Sequence, residues 1–205
     1  MHQERLRQSI LRAQSLGFTG DDVDLIERHS VRFAEVCRVV APVQGAAVDL
    51  GSGGGVPGFA IAGLIEGLSV LLVESMEKRV AFLREQIVKL GYTDRVEVFC
   101  GRAEVLGRDS RYRERFNLVT ARGFGPPSAT VEIGSALLAL DGVMVVSEPP
   151  DSDGGRWQPE ALREFGVEKL DVVRNEFSFI VFRKVSPLSG RYPRRTGIPF
   201  KRPIF

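Results

Sequence analysis

The residues best placed to do chemistry in this chain surround a glycine run, DLGSGGGVPG at positions 49–58. Glycines allow sharp turns with positive φ and let a ligand approach the main chain. A dinucleotide site would show GxGxxG directly after its strand. Here Gly51, Ser52, Gly53 and Gly55 are more compressed, and an acid, Asp49, precedes them. A P-loop needs Gly-Lys-Ser or Gly-Lys-Thr, and neither is present. An acid ahead of the loop suits a cationic ligand better than a pyrophosphate. S-adenosylmethionine carries an ammonium and a sulfonium, and Asp49 can face the ammonium directly or through water.

Two further groups share this register. Glu74 lies 23 residues after Gly51, the length of one strand–helix–strand unit. A carboxylate at that strand end can accept both ribose hydroxyls of an adenosine. The next strand ends in Gly101-Arg102-Ala103-Glu104. There a backbone amide and a carboxylate can read an adenine ring. Taken singly, the glycine run reads equally as a tight connection and each acid as a solvated side chain. On three successive strand ends they point to one ligand, since ligands of open α/β sheets bind at carboxyl ends.

Other chemistries are excluded. The two cysteines, Cys37 and Cys100, and two histidines, His2 and His29, form no CxxC or HExxH spacing, so no metal is expected. Each cysteine stands alone in an apolar segment and reads as a buried free thiol in a reduced compartment. A histidine-dependent hydrolase would have to use His29, around which no triad is visible. The N-terminal residues are polar and charged rather than a signal peptide, and no run of about 18 apolar residues could span a membrane. A cytoplasmic location is expected.

The elements that must position these groups follow from periodicity. Residues 3–16 and 23–40 read as helices, the second capped by Asp21 or Asp22. From position 46 the chain alternates: strands at 46–50, 68–74, 96–101, 116–121 and 142–148, and helices at 57–66, 76–90 and 127–140. Segments 167–173 and 177–185, joined by 174–176, read as an antiparallel hairpin. Continuous apolar strands separated by helices imply a parallel sheet covered on both faces. The loop 149–158 is rich in Pro, Gly and Asp and reads as exposed.

Net charge is only +2, but it is unevenly placed. Residues 183–205 carry seven basic groups and no acid, leaving 21 basic and 26 acidic groups in 1–182, a net of −5. A one-signed block of this kind marks contact with a polyanion or a solvated surface strap. The segment after Val185 has no periodicity and reads as irregular, spread over the surface or ordered on binding. Tyr192, Phe200 and Phe205 within it can stack on bases or anchor the strap.

The segments DLGSGGGVPGFAIA (49–62), VESMEKRVAFLREQIVKLG (73–91), VEVFCGRAE (96–104), FNLVTARGF (116–124) and YPRRTGIPFKRP (192–203) resemble the RsmG (GidB) family. These are bacterial methyltransferases that modify guanine N7 in 16S ribosomal RNA with S-adenosylmethionine. The resemblance implies a Rossmann-like class I methyltransferase, α/β, with a mostly parallel sheet and an antiparallel C-terminal strand. It implies a short helical cap (1–44), a methyltransferase domain (45–185) and a basic tail (186–205). Asp49, Gly51, Ser52, Gly53 and Gly55 would hold the methionine side of the cofactor, Glu74 and Ser75 the ribose, and Ala103 and Glu104 the adenine. Arg122 would stand at the pocket mouth near the transferred methyl as the catalytic residue. Arg191, Arg194, Arg195, Lys201 and Arg202 would contact the RNA backbone. The implied partner is 16S ribosomal RNA or the small ribosomal subunit, without membrane or metal.

Two departures stand out. Only 28–33 (RHSVRF) echoes the family's HxxDS-like segment, and Ser147-Glu148 replaces its Lys-Gly, an anion for a cation near the rim. Guanine N7 already offers a lone pair, so its methylation needs alignment rather than a general base. The absence of a catalytic His or Cys fits. A small-molecule methyltransferase of the same fold, or an inactive paralogue, are the other readings.

Overall fold

A computed structural model describes residues 2–174 and 176–205, apart from the His2 side chain. Asn175, the middle of the expected 174–176 turn, lies outside the described residues. Two helices open the chain, α1 (His2–Ser15) and α2 (Val23–Val40). The alternating part runs β1 (Gly45–Leu50), α3 (Gly58–Leu64), β2 (Leu68–Glu74), α4 (Glu77–Leu90), β3 (Val96–Cys100), α5 (Ala103–Arg108), β4 (Phe116–Ala121), α6 (Pro127–Leu137) and β5 (Leu138–Glu148). Then come α7 (Pro159–Glu164), β6 (Val167–Arg174), β7 (Ser178–Lys184) and the single turn α8 (Ile198–Lys201).

The seven strands form one sheet in the order β3-β2-β1-β4-β5-β7-β6. Strands β1 to β5 are parallel, and β7 inserts antiparallel between β5 and β6. The order reverses between β1 and β4, which leaves a crevice at their carboxyl ends. Alternating side chains feed two apolar layers. On one face Ala47, Val70 and Leu72 meet Ile10 of α1, Phe33 of α2, Phe59 of α3 and Leu83 of α4. On the other, Val48, Leu50 and Val73 meet Leu106 of α5, Val131 of α6, Leu162 of α7 and the tail's Tyr192. Asp22 caps α2, its Oδ1 accepting from the Leu25 amide at 2.8 Å. No helix among the described residues is long and apolar enough to cross a membrane.

Three expectations are corrected. The run at 138–140 belongs to β5, not to the helix before it. Leu138 pairs with Phe116 and the ladder then shifts register, with Asp141 at φ +63° supplying the bulge. A short apolar run does not by itself separate helix from strand. The loop 149–158 is not simply exposed: Trp157 is 1% exposed and packs against Phe182 at 4.8 Å between ring centroids. Cys37 is buried, but Cys100 is exposed, because it ends β3 at the sheet edge. Of the readings left open for the tail, the structure shows the surface strap, irregular in course and stapled to the second face.

The staples are specific. Arg194 donates through Nε and Nη2 to Glu132 of α6, at 2.7–3.1 Å, and its backbone amide donates to the same carboxylate at 2.6 Å. Arg113 donates to the carbonyls of Tyr192 and Leu188, and Arg108 to that of Pro193. Glu114 takes the Leu188 amide at 2.8 Å and the buried Lys184 ammonium at 3.1 Å. Glu132 is fully buried, whereas the Arg194 side chain keeps 25% exposure. Removing the cation strands a charge, while removing the anion frees an arginine that can turn to water. Arg194→Ala should therefore cost about 3 kcal/mol of unfolding free energy, and Glu132→Gln distinctly less. Urea titrations of the two variants check the asymmetry; equal losses would contradict it.

Candidate functional site

The glycine run leaves the end of β1 and crosses to the end of β2. Gly51, Gly53 and Gly55 all take positive φ. At Gly51 a Cβ would lie 3.0 Å from the Phe124 ring, and at Gly55 one would lie 2.1 Å from the Phe59 ring. Both positions thus need glycine for conformation and for space. Ser52 ties the turn down: its amide donates to the Val73 carbonyl at 2.9 Å and its hydroxyl to the Asp49 carbonyl at 3.0 Å.

Glu74 ends β2 with its carboxylate buried. Oε2 accepts from the Gly53 amide at 3.0 Å, and Oε1 from the Ser75 and Met76 amides at 2.7 and 2.9 Å. Arg79 approaches Oε2 at 3.7 Å. Across a cavity of about 240 Å³, Gly101 and Ala103 from the end of β3 face Gly51, Glu74 and Ser75, with Glu104 beside them. Glu104 Oε1 accepts from Arg102 at 3.3 Å and from the Gly197 amide of the tail at 2.8 Å.

Asp49 sits under the loop, 1% exposed. Its Oδ1 accepts from Thr120 of β4 at 2.8 Å, and its Oδ2 has no hydrogen-bond partner. Burial pushes this carboxyl up to about 6, against the pull of the Thr120 and Ser52 hydroxyls, the Gly58 amide and Arg122. Arg122 follows β4, and desolvation lowers its guanidinium from the ordinary value while Asp49 raises it. The same arginine acts on His29 of α2, which burial above all, and then Arg122, bring down to about 4. His29 Nε2 is hydrogen-bonded to Ser147 Oγ at 2.9 Å, and its ring packs against Phe177 and Phe179. The end of β5 is therefore tied to the helical cap.

Of the residues named from sequence, Gly51, Glu74, Ser75, Ala103 and Glu104 line this one cavity; Asp49, Ser52, Gly53, Gly55 and Arg122 do not line it, Asp49 and Ser52 being buried behind the loop. The basic residues of the tail do not act as a set. Arg191 pairs with Glu164 at 2.5 Å and Arg194 with Glu132. Arg195, Lys201 and Arg202 are exposed and form no ion pair among the described residues. Glu148 does not project as a free anion: it is buried, paired with Arg156, and accepts from the Ser152 hydroxyl at 2.5 Å. Sequence reasoning did not place Arg102, Phe124 or Phe200 on the cavity, though all three line it. Each lies inside a segment that carries the family resemblance, and Phe200 was expected to stack on bases or anchor the tail, but no spacing pointed to the cavity. A larger groove, about 580 Å³, runs along α2, but its charges pair with one another, as in Arg28–Glu176 and Arg32–Glu35.

Comparison with known proteins agrees with this geometry. The profile of the family GidB, described as rRNA small subunit methyltransferase G, matches residues 14–148. Ribosomal RNA small subunit methyltransferase G of Dictyoglomus thermophilum is 34% identical over 165 residues, covering 77% of this chain and 68% of the relative. The protein of the same name from Roseiflexus castenholzii is 33% identical over 196 residues, covering 90% and 81%. Among solved structures, a putative sarcosine dimethylglycine methyltransferase from Galdieria sulphuraria superposes with a TM-score of 0.64 at 14% identity, covering 82% of this chain and 90% of the other. The O-methyltransferase from Bacillus cereus in complex with SAH gives 0.62 at 15%, covering 89% and 91%. At those identities the structures speak for the fold alone: a class I methyltransferase sheet.

The raised Asp49 carboxyl has two consequences of opposite sign. A cationic ligand needs the ionised form, so the affinity for S-adenosylhomocysteine, which also bears the ammonium, should fall as pH drops through about 6. Stability runs the other way, because the native state holds this proton more tightly than the unfolded chain. The cost of burying Asp49 is absent below the unfolded value of 3.8, grows as pH rises, and is complete above about 6. Asp49→Asn should stabilise the fold by on the order of 1–3 kcal/mol at pH 8, a gain that fades toward pH 4. The same change should weaken the ligand. Urea melts and calorimetry across pH 4–8 check both; a variant less stable than wild type at pH 8 would contradict the assignment.

Proposed function

The chain belongs to the GidB family of small-subunit ribosomal RNA methyltransferases, and from that premise we propose that it methylates N7 of a guanine in 16S ribosomal RNA. The observation that carries the reading is the arrangement of Asp49, Glu74 and Glu104 on three adjacent strand ends around one glycine turn. The site fits S-adenosylmethionine on its own chemistry. Asp49 Oδ2 is a buried acceptor with no close hydrogen bond, only the weaker pull of the Gly58 amide, which leaves it available to an ammonium. Glu74 and Ser75 line the side of the cavity that we assign to the ribose, and Ala103 and Glu104 the side that we assign to the adenine. When bound, the cofactor supplies an electrophilic methyl on a sulfonium.

The residues of this chain then have positioning work. N7 carries its own lone pair, so no side chain has to remove a proton before attack. What is required is alignment and exclusion of water. Arg122, partly buried after β4, acts electrostatically on both Asp49 and His29. A guanidinium there suits a guanine O6 or a flanking phosphate oxygen, both acceptors. His29, neutral at physiological pH, holds the Ser147 hydroxyl in place without adding a second positive charge beside Arg122.

The substrate's backbone is met by the free cations of the tail, Arg195, Lys201 and Arg202. Three phosphate contacts on single-stranded RNA contribute a slope of about −2 to log K against log salt. Replacing all three by Ala should remove that part of the slope in filter-binding titrations, whereas Arg191→Ala should change it little. An unchanged slope in the triple variant would take the tail out of RNA contact. The reaction itself is tested by mass spectrometry of 16S nucleosides from cells with and without the protein. Loss of 7-methylguanosine is expected, and Glu74→Ala should reproduce it. Methyl incorporation into a metabolite extract but not into RNA would instead favour the small-molecule reading.

A further inference from the structure

The tail has two faces. Its inner face reaches the cavity between the ends of β2 and β3. Phe200 lines that cavity opposite Glu74, stacks edge-on against Phe124 at 5.4 Å between centroids, and lies under the Arg102 guanidinium at 5.3 Å. It also presses on the backbone after β4: a Cβ on Gly125 would meet its ring at 2.5 Å. Three residues earlier, the Gly197 amide donates to Glu104 Oε1, the carboxylate assigned to the adenine. Gly197 takes φ +81° at the start of α8, a turn that presents this N–H inward. The outer face of the same turn carries Lys201 and Arg202, both exposed. One short segment therefore touches the cofactor cavity on one side and offers unpaired cations on the other.

We propose that the 197–202 turn is a shared element of both binding sites: Phe200 and the Gly197 amide close the adenine end of the cofactor pocket, and RNA phosphates on Lys201 and Arg202 hold them closed, so that cofactor and RNA bind with positive coupling. This rests on the reading of the pocket as the S-adenosylmethionine site. Two ligands that favour one placement of a common segment must strengthen each other by the same factor. The segment is seated without either ligand, the Gly197 amide on Glu104 and the Arg202 carbonyl accepting from Arg194 Nη1 at 2.8 Å, so each ligand would act by strengthening this one placement. The tail is fixed upstream by Arg194 on Glu132 and downstream by the Ile204 amide on Ser128 Oγ at 2.8 Å, and between those staples a single helical turn spans the pocket. The aromatic wall contributes a flat apolar face, which suits a purine and is tolerant of its edge chemistry.

Calorimetry with S-adenosylhomocysteine on the full-length protein, with and without deproteinised 16S ribosomal RNA, tests this. In the wild type RNA should tighten S-adenosylhomocysteine several-fold, and S-adenosylhomocysteine should tighten RNA by the same factor. Phe200→Ala should weaken S-adenosylhomocysteine about tenfold and bring the coupling factor toward one. Phe200→Leu guards against collapse of the tail: with an unchanged melting temperature it should still lose most of the coupling. Lys201→Ala with Arg202→Ala should reduce the RNA-induced tightening. If Glu74→Ala weakens S-adenosylhomocysteine but Phe200→Ala does not, the proposal fails and the cofactor site stands. RNA that leaves S-adenosylhomocysteine affinity unchanged in the wild type also overturns it. Wild-type protein that binds no S-adenosylhomocysteine overturns both.

Discussion

Three backbone amides, from Gly53, Ser75 and Met76, converge on the single carboxylate of Glu74. This contact is what the rest of the site hangs on. It welds the glycine turn after β1 to the end of β2, beside the Ser52 amide on the Val73 carbonyl. An ionised carboxylate accepting several N–H groups is among the stronger hydrogen-bonding arrangements a protein can build. It also satisfies amides that a tight turn would leave orphaned in a water-poor crevice. With the turn fixed, Gly51 can lie against Phe124, and Phe124 can in turn support Phe200. The floor, the far wall and the roof of the cavity are thus linked through one anion.

The tail obeys a second constraint, which is charge balance in a buried setting. Seven cations lie between 183 and 205, yet four are already paired, two of them at the surface (Arg183 and Arg191) and two with a buried member (Lys184 and Glu132). Arg183 pairs with Asp141, Lys184 with Glu114, Arg191 with Glu164 and Arg194 with Glu132. Glu132 is the telling case, because α6 buries it completely and only the tail neutralises it. A buried ion pair of this kind adds little net stability but makes the placement of the tail nearly obligatory, since the alternative is an uncompensated charge. The three remaining cations then have a defined place from which to meet a polyanion, and polyanion contact does not have to order the tail first.

The sheet was legible in the sequence because buried parallel strands are continuous apolar runs with abrupt ends. The expected segments 68–74 and 116–121 coincide with β2 and β4. The short helices α5 and α7 gave no periodic signal, being six residues each. The site divided in the same way. Asp49, Glu74 and Glu104 could be read because strand ends are fixed by local pattern. Phe200 could not, because its place depends on Arg194 finding Glu132 some 62 residues earlier in the chain. Charge, too, was readable only as a total. A count of basic residues cannot say which have partners, since partners are chosen by the tertiary fold.

Glu148 makes the same point from the opposite side. In a linear reading it sets an acid on the rim of a site meant for an anionic substrate. In three dimensions Ser152 and Arg156, from the loop that Trp157 anchors, turn back onto it, and its charge is cancelled within the fold. Ser147, next to it, faces the other way and is held by His29. The pair therefore separates into a buried structural acid and a neutral hydroxyl. Neither presents a free anion at this strand end. A substitution that reverses a charge in sequence need not reverse the charge a substrate feels. What counts is whether the new group still faces solvent once its neighbours have packed around it.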